Sequence, residues 1–295
     1  MELTQLESFI KVAQLLSFSQ AAEFLGYSQS AVTVHIQQLE KEMDVKLFER
    51  IGRKVYLSEA GNIFLPNAFA ILTQVDIAKQ SVELISEPKG ELRLGTIESL
   101  SVVILPNILL ELSRRYPSIT VLVITGTTEE LIQRLKNHEI DCIYTLDFPV
   151  YGEEWIKVFE KHERSVFVGS KEIAHTLNNE VTLKELIEQP FILTQRGASY
   201  RRELESMLSS EKLTLQPKLE IANTEIILNL LTRGYGLSFL PEFIIQDHLK
   251  QDTIQIIDYP VPDSLIQMQL FYHLNKQVSQ VMKVFFELIK EKNGL

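Results

Sequence analysis

The stretch FSQAAEFLGYSQSAVTVHIQQLEKEM, from Phe18 to Met43, constrains the fold more than any other part of the chain. Two short helical patterns stand back to back with Gly26 between them. Ser17 or Ser19 can accept the first free amides of the earlier helix, whose inner face is Ala22 and Leu25. Gly26 suits the left-handed position that ends a helix. Ser28 can cap the next one. That later helix places Val32, Ile36, Leu39 and Met43 at spacings of four, three and four, which makes one buried stripe. Ala21 and Ala22 are small, so two helices can cross closely. A small residue, a tight glycine turn and an apolar return at Val32 form the pattern of a helix-turn-helix. An earlier helix follows from Leu6, Phe9, Ile10, Ala13 and Leu16 at helical spacing.

The next segment, LFERIGRKVYLSEAG, reads as a two-stranded wing. Leu47, Val55 and Leu57 are apolar, while Arg50, Arg53 and Lys54 flank a turn at Gly52. Ser58 can cap a long helix over residues 59–85. Its Phe64, Ala68, Ile71, Val75, Ala78, Val82 and Ile85 alternate spacings of four and three. Such a seam suits a partner helix, and so a dimer; the alternative is a helix packed on its own domain. Pro66 should kink this helix or lie near its first turns. SEPKG, residues 86–90, breaks the helix and reads as a hinge. Beyond it, strand and helix patterns alternate to the end of the chain, which predicts an α/β region with mainly parallel strands. The expected strands include ELRLGTI, ITVLVITG, IDCIYTLD, RSVFVGS, FILTQ, KLEIAN, GLSFLP, TIQIID and IQMQLFYH, with helices to Tyr116, Asn137 and Arg233 and a last one over residues 277–292. The length of this region suits two subdomains with a ligand cleft between them.

Composition narrows the class. The 295 residues allow two or three domains. A net charge of -10 argues against a general nucleic-acid coat but leaves room for a site-specific DNA binder with a local basic patch. The single cysteine, Cys142, excludes an internal disulfide and a cysteine-cluster metal site; it reads as a buried core thiol. The N-terminus has no basic start, apolar core and cleavage site. The most apolar stretch, Leu100 to Leu112, is broken by Pro106 and Asn107, so no membrane span is expected and the reading is cytoplasmic. No GxGxxG, P-loop, HExxH or GxSxG is present, and Gly234-Tyr235-Gly236 precedes a strand, which makes it a turn. No enzyme, cofactor or metal is expected.

With these elements in order, the whole chain resembles a LysR-type transcriptional regulator, most strongly from Leu3 through the wing to Gly61. The resemblance implies a multidomain bacterial protein: a winged helix-turn-helix over residues 1–58 and a linker and dimerisation helix over 59–85. After the hinge it implies a type II periplasmic-binding-protein-like effector domain over 91–295. Its subdomains would cover about 91–161 with 266–295, and about 162–265. Members of the family usually act as dimers of dimers, sense a small molecule, and bind DNA with or without it. The implied partners are operator DNA, a small-molecule effector and further copies of the chain, with RNA polymerase a further candidate.

On this resemblance the outer face of the third helix is offered to the major groove. Ser28, Gln29, Ser30, Thr33, Val34, Gln37 and Gln38 are the candidate contacts, joined by Arg50, Arg53 and Lys54 of the wing. Gln can pair with adenine edges, Ser and Thr with base or phosphate, and Val34 with a thymine methyl. Residues 1–60 hold six basic and eight acidic side chains, a net charge of -2. One such domain should bind DNA weakly. Clustering at the wing, helix N-terminal amides after Ser28 and oligomerisation are the compensations.

Matching GTIESLS to the family puts Thr96, Ile97, Glu98, Ser99, Leu100 and Ser101 at the cleft, with Ser99 and Leu100 foremost. TGTTEE adds Gly126, Thr127 and Thr128; TQRGASYRR adds Thr194, Gln195, Arg196, Ser199 and Tyr200; IANTEI adds Asn223 and Thr224. For each single residue, plain helix capping is the competing role. Glu98 departs from the small hydroxyl residues common at its position in the family. It would repel an anionic effector unless it points away, whereas Arg196, Arg201 and Arg202 favour an anion. The sequence leaves effector charge open. It also leaves open a DNA-binding regulator without ligand, whose α/β part serves only as an oligomerisation scaffold. A free solute-binding protein would leave the first ninety or so residues unexplained.

Overall fold

The structure is a computed structural model that describes residues 1–52, 54–82, 87–177 and 181–293 and, of residues 50, 51, 76, 77 and 79–82, the backbone alone. The chain divides into two compact units, one built on Met1–Glu87, the other on Pro88–Gln133, Ile140–Asn275 and Val281–Leu295.

The first unit holds α1 (Leu3–Leu15), α2 (Phe18–Leu25), α3 (Gln29–Met43), β1 (Phe48–Ile51), β2 (Lys54–Leu57) and α4 (Glu59–Val82). Local signals set the boundaries. Ser17 Oγ accepts the Gln20 amide, and Gly26 ends α2 at φ 71°. Ser28 Oγ accepts the Ala31 amide at the start of α3. Leu16, expected on the buried stripe of α1, instead caps it at φ 48° and is exposed, because the chain must turn there toward Ser17. Leu6, Phe9, Val12, Ala21, Val32, Ile36 and Leu39 make the core. The Phe9 ring lies 5.4 Å from Phe48 and 5.2 Å from Phe64, so it joins the wing and α4 to the helices. Burying each such ring contributes about 1.5–3 kcal/mol.

The wing pairs Phe48 with Leu57 and Ile51 with Lys54, with Gly52 at φ 65° in the turn. Pro66 falls in the second turn of α4. The seam along α4 needs correction. Phe64 and Ala68 are buried in the core of their own unit, with Ile71 packed against it, so they do not form a free seam for a partner helix. A repeat of four and three is the same whether the partner is the helix's own domain or another chain. Val75 is half-buried and Ala78 exposed, while the side chain of Val82 and residue Ile85 lie outside the described residues.

The second unit begins β3 (Gly90–Thr96), α5 (Glu98–Val103), α6 (Leu105–Arg115), β4 (Ile119–Thr125), α7 (Thr128–Lys136), β5 (Cys142–Asp147) and β6 (Trp155–His162). It continues with β7 (Ser165–Ser170), α8 (Lys171–Thr176), α9 (Leu183–Ile187), β8 (Ile192–Leu193), α10 (Ser199–Ser210), β9 (Leu219–Glu220) and α11 (Thr224–Thr232). It ends with β10 (Leu237–Pro241), α12 (Glu242–Lys250), β11 (Ile254–Ile256), β12 (Gln267–His273) and α13 (Gln280–Lys292). The expected single helix to Tyr116 is two: Pro106, which lacks an N–H, sits at the start of the second.

One sheet has five strands in the order β4-β3-β5-β12-β6; another has three, β10-β7-β11; β8 and β9 pair separately. The expectation of mainly parallel strands is corrected. Among the described residues only β3–β4, β3–β5 and β8–β9 are parallel ladders. β12 runs antiparallel to β5 and β6, and β7 antiparallel to β10 and β11. Direction depends on how a strand is connected, which its own residues do not record. Edge strand β6 is absent from the sequence reading because Lys157, Glu160 and Lys161 interrupt its apolar pattern. Cys142 is fully buried in β5.

Candidate nucleic-acid interface and effector pocket

The face of α3 opposite Val32, Ile36 and Leu39 is polar and sorts into held and open side chains. Thr33 Oγ1 donates to Gln29 O at 2.8 Å, Ser19 Oγ donates to Gln29 Oε1 at 3.2 Å, and Ser28 and Ser30 share a hydroxyl contact at 2.9 Å. Gln38 Oε1 accepts from Gln5 Nε2 at 3.0 Å, which fixes its amide orientation. Val34 and Gln37 are exposed. An exposed valine opposite the core stripe leaves an apolar group where a surface helix normally carries a polar one. Lys54 is exposed on β2; Arg53 and the side chain of Arg50 lie outside the described residues.

Sequence reasoning found Ser58 as the cap of α4 but missed Glu40, Ser8 and His35, which also position this face. Glu40 is buried; its Oε1 accepts the amides of Leu47 and Phe48 at 2.9 and 3.3 Å, and its Oε2 takes Lys46 Nζ at 2.6 Å. One carboxylate on α3 therefore sets where the wing begins. Ser58 Oγ donates to Lys46 O at 2.5 Å and accepts the Gly61 amide at 2.9 Å, which ties the start of α4 to the same place. Ser8 Oγ meets His35 Nδ1 at 2.8 Å. The signal in the sequence was Glu40 itself, a charged residue beside the stripe position Leu39.

In the second unit a cavity of about 380 Å³ lies where β3, β4 and β5 end and α5, α7 and α10 begin. Of the expected residues, Ile97, Glu98, Ser99, Thr127, Thr128, Thr194, Gln195, Ser199 and Tyr200 line it, with Gly126. Their neighbours are held by short polar contacts. Ser199 Oγ donates to Leu146 O at 2.9 Å, Thr128 and Thr145 hydroxyls meet at 2.7 Å, and Glu130 Oε2 accepts the Thr127 amide at 2.9 Å. Burial pushes the Tyr200 phenol up to about 12; hydrogen bonding to Thr194 opposes this and the nearby Glu98 charge adds to it.

Six expected residues do not line the cavity. Thr96 is fully buried and donates to Tyr144 O, and Leu100 is fully buried in the core. Ser101 Oγ turns back to Glu98 O. Arg196 is exposed, and Asn223 caps α11 by accepting the Ile226 amide. Thr224 acts through another residue: its N–H and hydroxyl both donate to the Glu98 carboxylate. These six sit at the predicted strand ends, but the pleat and the helical turn aim them elsewhere. Thr125, Glu130, Leu146, Asp147, Gly197, Ala198 and Ala222 line the cavity without having been expected. Asp147 and Leu146 end β5, so the strand-end rule that found Thr127 would have found them too.

Residues 3–62 match the family described as bacterial regulatory helix-turn-helix protein, lysR family, and residues 86–294 match the LysR substrate binding domain. The chain belongs to the LysR family of transcriptional regulators. Among LysR-type relatives, the regulator YofA of Bacillus velezensis is 33% identical over 260 residues, covering 88% of each chain. YusT of Bacillus subtilis is 30% identical over 258 residues, 87% of this chain and 84% of the relative. A full-length OxyR variant from Pseudomonas aeruginosa shares the fold at a TM-score of 0.74 and 22% identity, covering 98% of this chain and 95% of that one. The LysR-type regulator CbnR, solved with its target DNA, does so at 0.63 and 22%, covering 99% of each. The LysR-type chain thus carries a DNA-binding helix-turn-helix and a type II periplasmic-binding-like effector domain, and its relatives are regulators rather than enzymes. Among the described residues no helix is long and apolar enough to cross a membrane.

Proposed function

We propose that this LysR-type chain works in the cytoplasm, without catalysis, as an oligomer that reads an operator with α3 and the wing and answers to a small molecule held in the cavity of the second unit. The observation that carries the DNA half is the exposed row on α3, with Val34 and Gln37 open and Ser30, Thr33 and Gln38 beside them. Gln37 is the candidate for adenine and Val34 for a thymine methyl. Ser28, Gln29, Arg50, Arg53 and Lys54 serve the phosphates. The effector half is supported by a cavity of about 380 Å³ at helix starts, a size that suits a small ligand. Binding there would alter the relative placement of the two sheets, and through the oligomer the spacing of the DNA-binding domains. Among the described seam residues, Val75 and Ala78 stand outside the core cluster of the first unit and are candidates for contact between copies, and RNA polymerase is a further partner. CbnR, solved with its target DNA, is a precedent for the interface.

The test is a footprint on DNA upstream of the protein's own gene and its neighbours, titrated with salt. Protection over several helical turns with more than two chains bound is expected. Gln37→Ala should relax base preference at one position, with about 1–3 kcal/mol lost. A monomeric α4 variant should lose operator binding, since a single domain of net charge -2 is weak; one that binds as tightly as the wild type overturns the oligomeric reading. A footprint unchanged by any stabilising small molecule returns the α/β part to the role of scaffold.

A further inference from the structure

The chemistry of the cavity wall is lopsided. Three carboxylates line it, Glu98, Glu130 and Asp147, and among the described residues no lysine, arginine or histidine does. None of the arginines that could have drawn an anion lines the cavity. Arg201 is buried and donates to Thr194 O, Glu205 and Glu220; Arg202 pairs with Asp147 from outside the lining; Arg196 is exposed. The N-terminus of α11, whose amides would suit an anion, already has one, since Glu98 takes the Thr224 amide.

Two further features point to a ligand with a second pole. Ser99 is buried and lines the cavity, and its hydroxyl has no hydrogen-bond partner. A buried hydroxyl left so has lost its water without gaining a partner, a penalty that a bound molecule would relieve. The twelve-residue helix α10 opens on the cavity through Gly197, Ala198 and Ser199, and its cap residue, Ala198, has no side chain to satisfy the first amides. That end of the wall carries positive partial charge and suits a carboxylate.

We propose that the effector is a small zwitterion of the α-amino-acid class, with its ammonium toward Glu98, Glu130 and Asp147, its carboxylate toward the start of α10, and the Ser99 hydroxyl supplying one more hydrogen bond. This rests on reading the cavity as the effector site. It also gives Glu98 a role: it closes the α11 terminus to anions and gives the cavity its sign.

The test is thermal unfolding and calorimetric binding with the full-length protein. The probes are the proteinogenic amino acids, each beside its N-acetyl form, which lacks the ammonium, and its carboxamide, which lacks the carboxylate. Benzoate, citrate and inorganic phosphate form an anion arm. At least one free amino acid should raise Tm and bind, with both blocked forms weaker by tenfold or more. Ser99→Ala should leave the unliganded protein as stable as the wild type or more so, yet weaken binding. Glu130→Gln should weaken binding without touching the Glu98–Thr224 contact. Equal binding of an N-acetyl form or a carboxamide, or unchanged affinity in Ser99→Ala, overturns the proposal. If a simple anion alone stabilises the protein and shifts its operator footprint, the zwitterion is wrong and the effector-responsive regulator stands. If no probe binds and the footprint never responds, both fall.

Discussion

The carboxylate of Glu98, in the first turn of α5, accepts the backbone N–H of Thr224 at 3.0 Å and its hydroxyl at 2.5 Å, in the first turn of α11. α5 follows β3 of the five-stranded sheet, and α11 precedes β10 of the three-stranded one. One side chain therefore joins the two halves that form the cavity. Hydrogen bonds to a charged group contribute about 1.5–3 kcal/mol, and the N-terminus of α11 adds about 0.3–1 kcal/mol. Glu98→Ala should lower stability by about 2–3 kcal/mol and Thr224→Val by about 1–2 kcal/mol. The double variant should lose less than the sum, because both remove one interaction. Urea unfolding followed by Trp155 fluorescence measures this, since the chain's one tryptophan lies on β6 in the same unit. Additive losses would mean the two residues act separately.

Glu40 makes a comparable tie in the first unit. Glu40→Ala would strip the partner from the buried amides of Leu47 and Phe48. Each unsatisfied amide costs about 1–3 kcal/mol, so a loss of about 2–6 kcal/mol is expected. Glu40→Gln should lose less, because its amide oxygen can still accept. Hydrogen exchange at Leu47 and Phe48 checks the cause: it should quicken at both amides in Glu40→Ala. Operator affinity should fall with it, because the wing then loses its fixed start.

How much of this was legible depended on whether a residue's role is local. Ser17, Gly26 and Ser28 announced the ends of α2 and α3, because caps act within one turn of chain. The stripe at Val32, Ile36 and Leu39 is likewise a property of one helix. Phe64 and Ala68 were misread because a periodic seam does not name what fills it. In the cavity, strand ends were found but side-chain aim was not: Thr96 and Ser99 are three residues apart, yet one bonds inside the sheet and the other faces the cavity. Glu98 was noticed as out of pattern, but its partner, Thr224, lies 126 residues away. No spacing rule spans that distance.

Gly61 tests a close approach that the sequence shows only as a glycine near a helix start. A Cβ there would stand 2.1 Å from Leu47 O and 2.8 Å from Leu57 Cδ2. Leu47 O already accepts the Ser58 amide at 2.9 Å, so it cannot easily move. Alanine should favour the helix by about 1 kcal/mol, while overpacking costs about 1–3 kcal/mol or more. A blocked backbone oxygen puts this site at the upper end, so Gly61→Ala should be net destabilising by about 2 kcal/mol. Thermal unfolding followed by circular dichroism gives the sign. A stabilised variant would mean that the start of α4 can shift away from the wing without cost.

The last expectation concerns pH. Glu163 stands between β6 and β7, buried, with its backbone N–H bonded to Ile266 O at 3.1 Å. Burial pushes its carboxyl above the ordinary value of 4.5; Lys161, 3.1 Å away, opposes this, and the charge of Glu242 adds to it. Lys161 is itself half in solvent, so its attraction is largely screened. The folded state therefore keeps the Glu163 proton to higher pH than the unfolded chain does. Below the ordinary value both states are protonated and the residue costs nothing. As pH rises through the folded value, the folded protein must ionise a buried carboxyl, and stability falls. Glu163→Gln, which cannot ionise, should unfold at a higher temperature than the wild type near neutral pH. That advantage should shrink toward zero as the pH drops below the ordinary carboxylate range. Paired unfolding curves read by Trp155 fluorescence at neutral and acid pH decide it. A gain that persists unchanged in acid would trace to packing around residue 163 rather than to its charge.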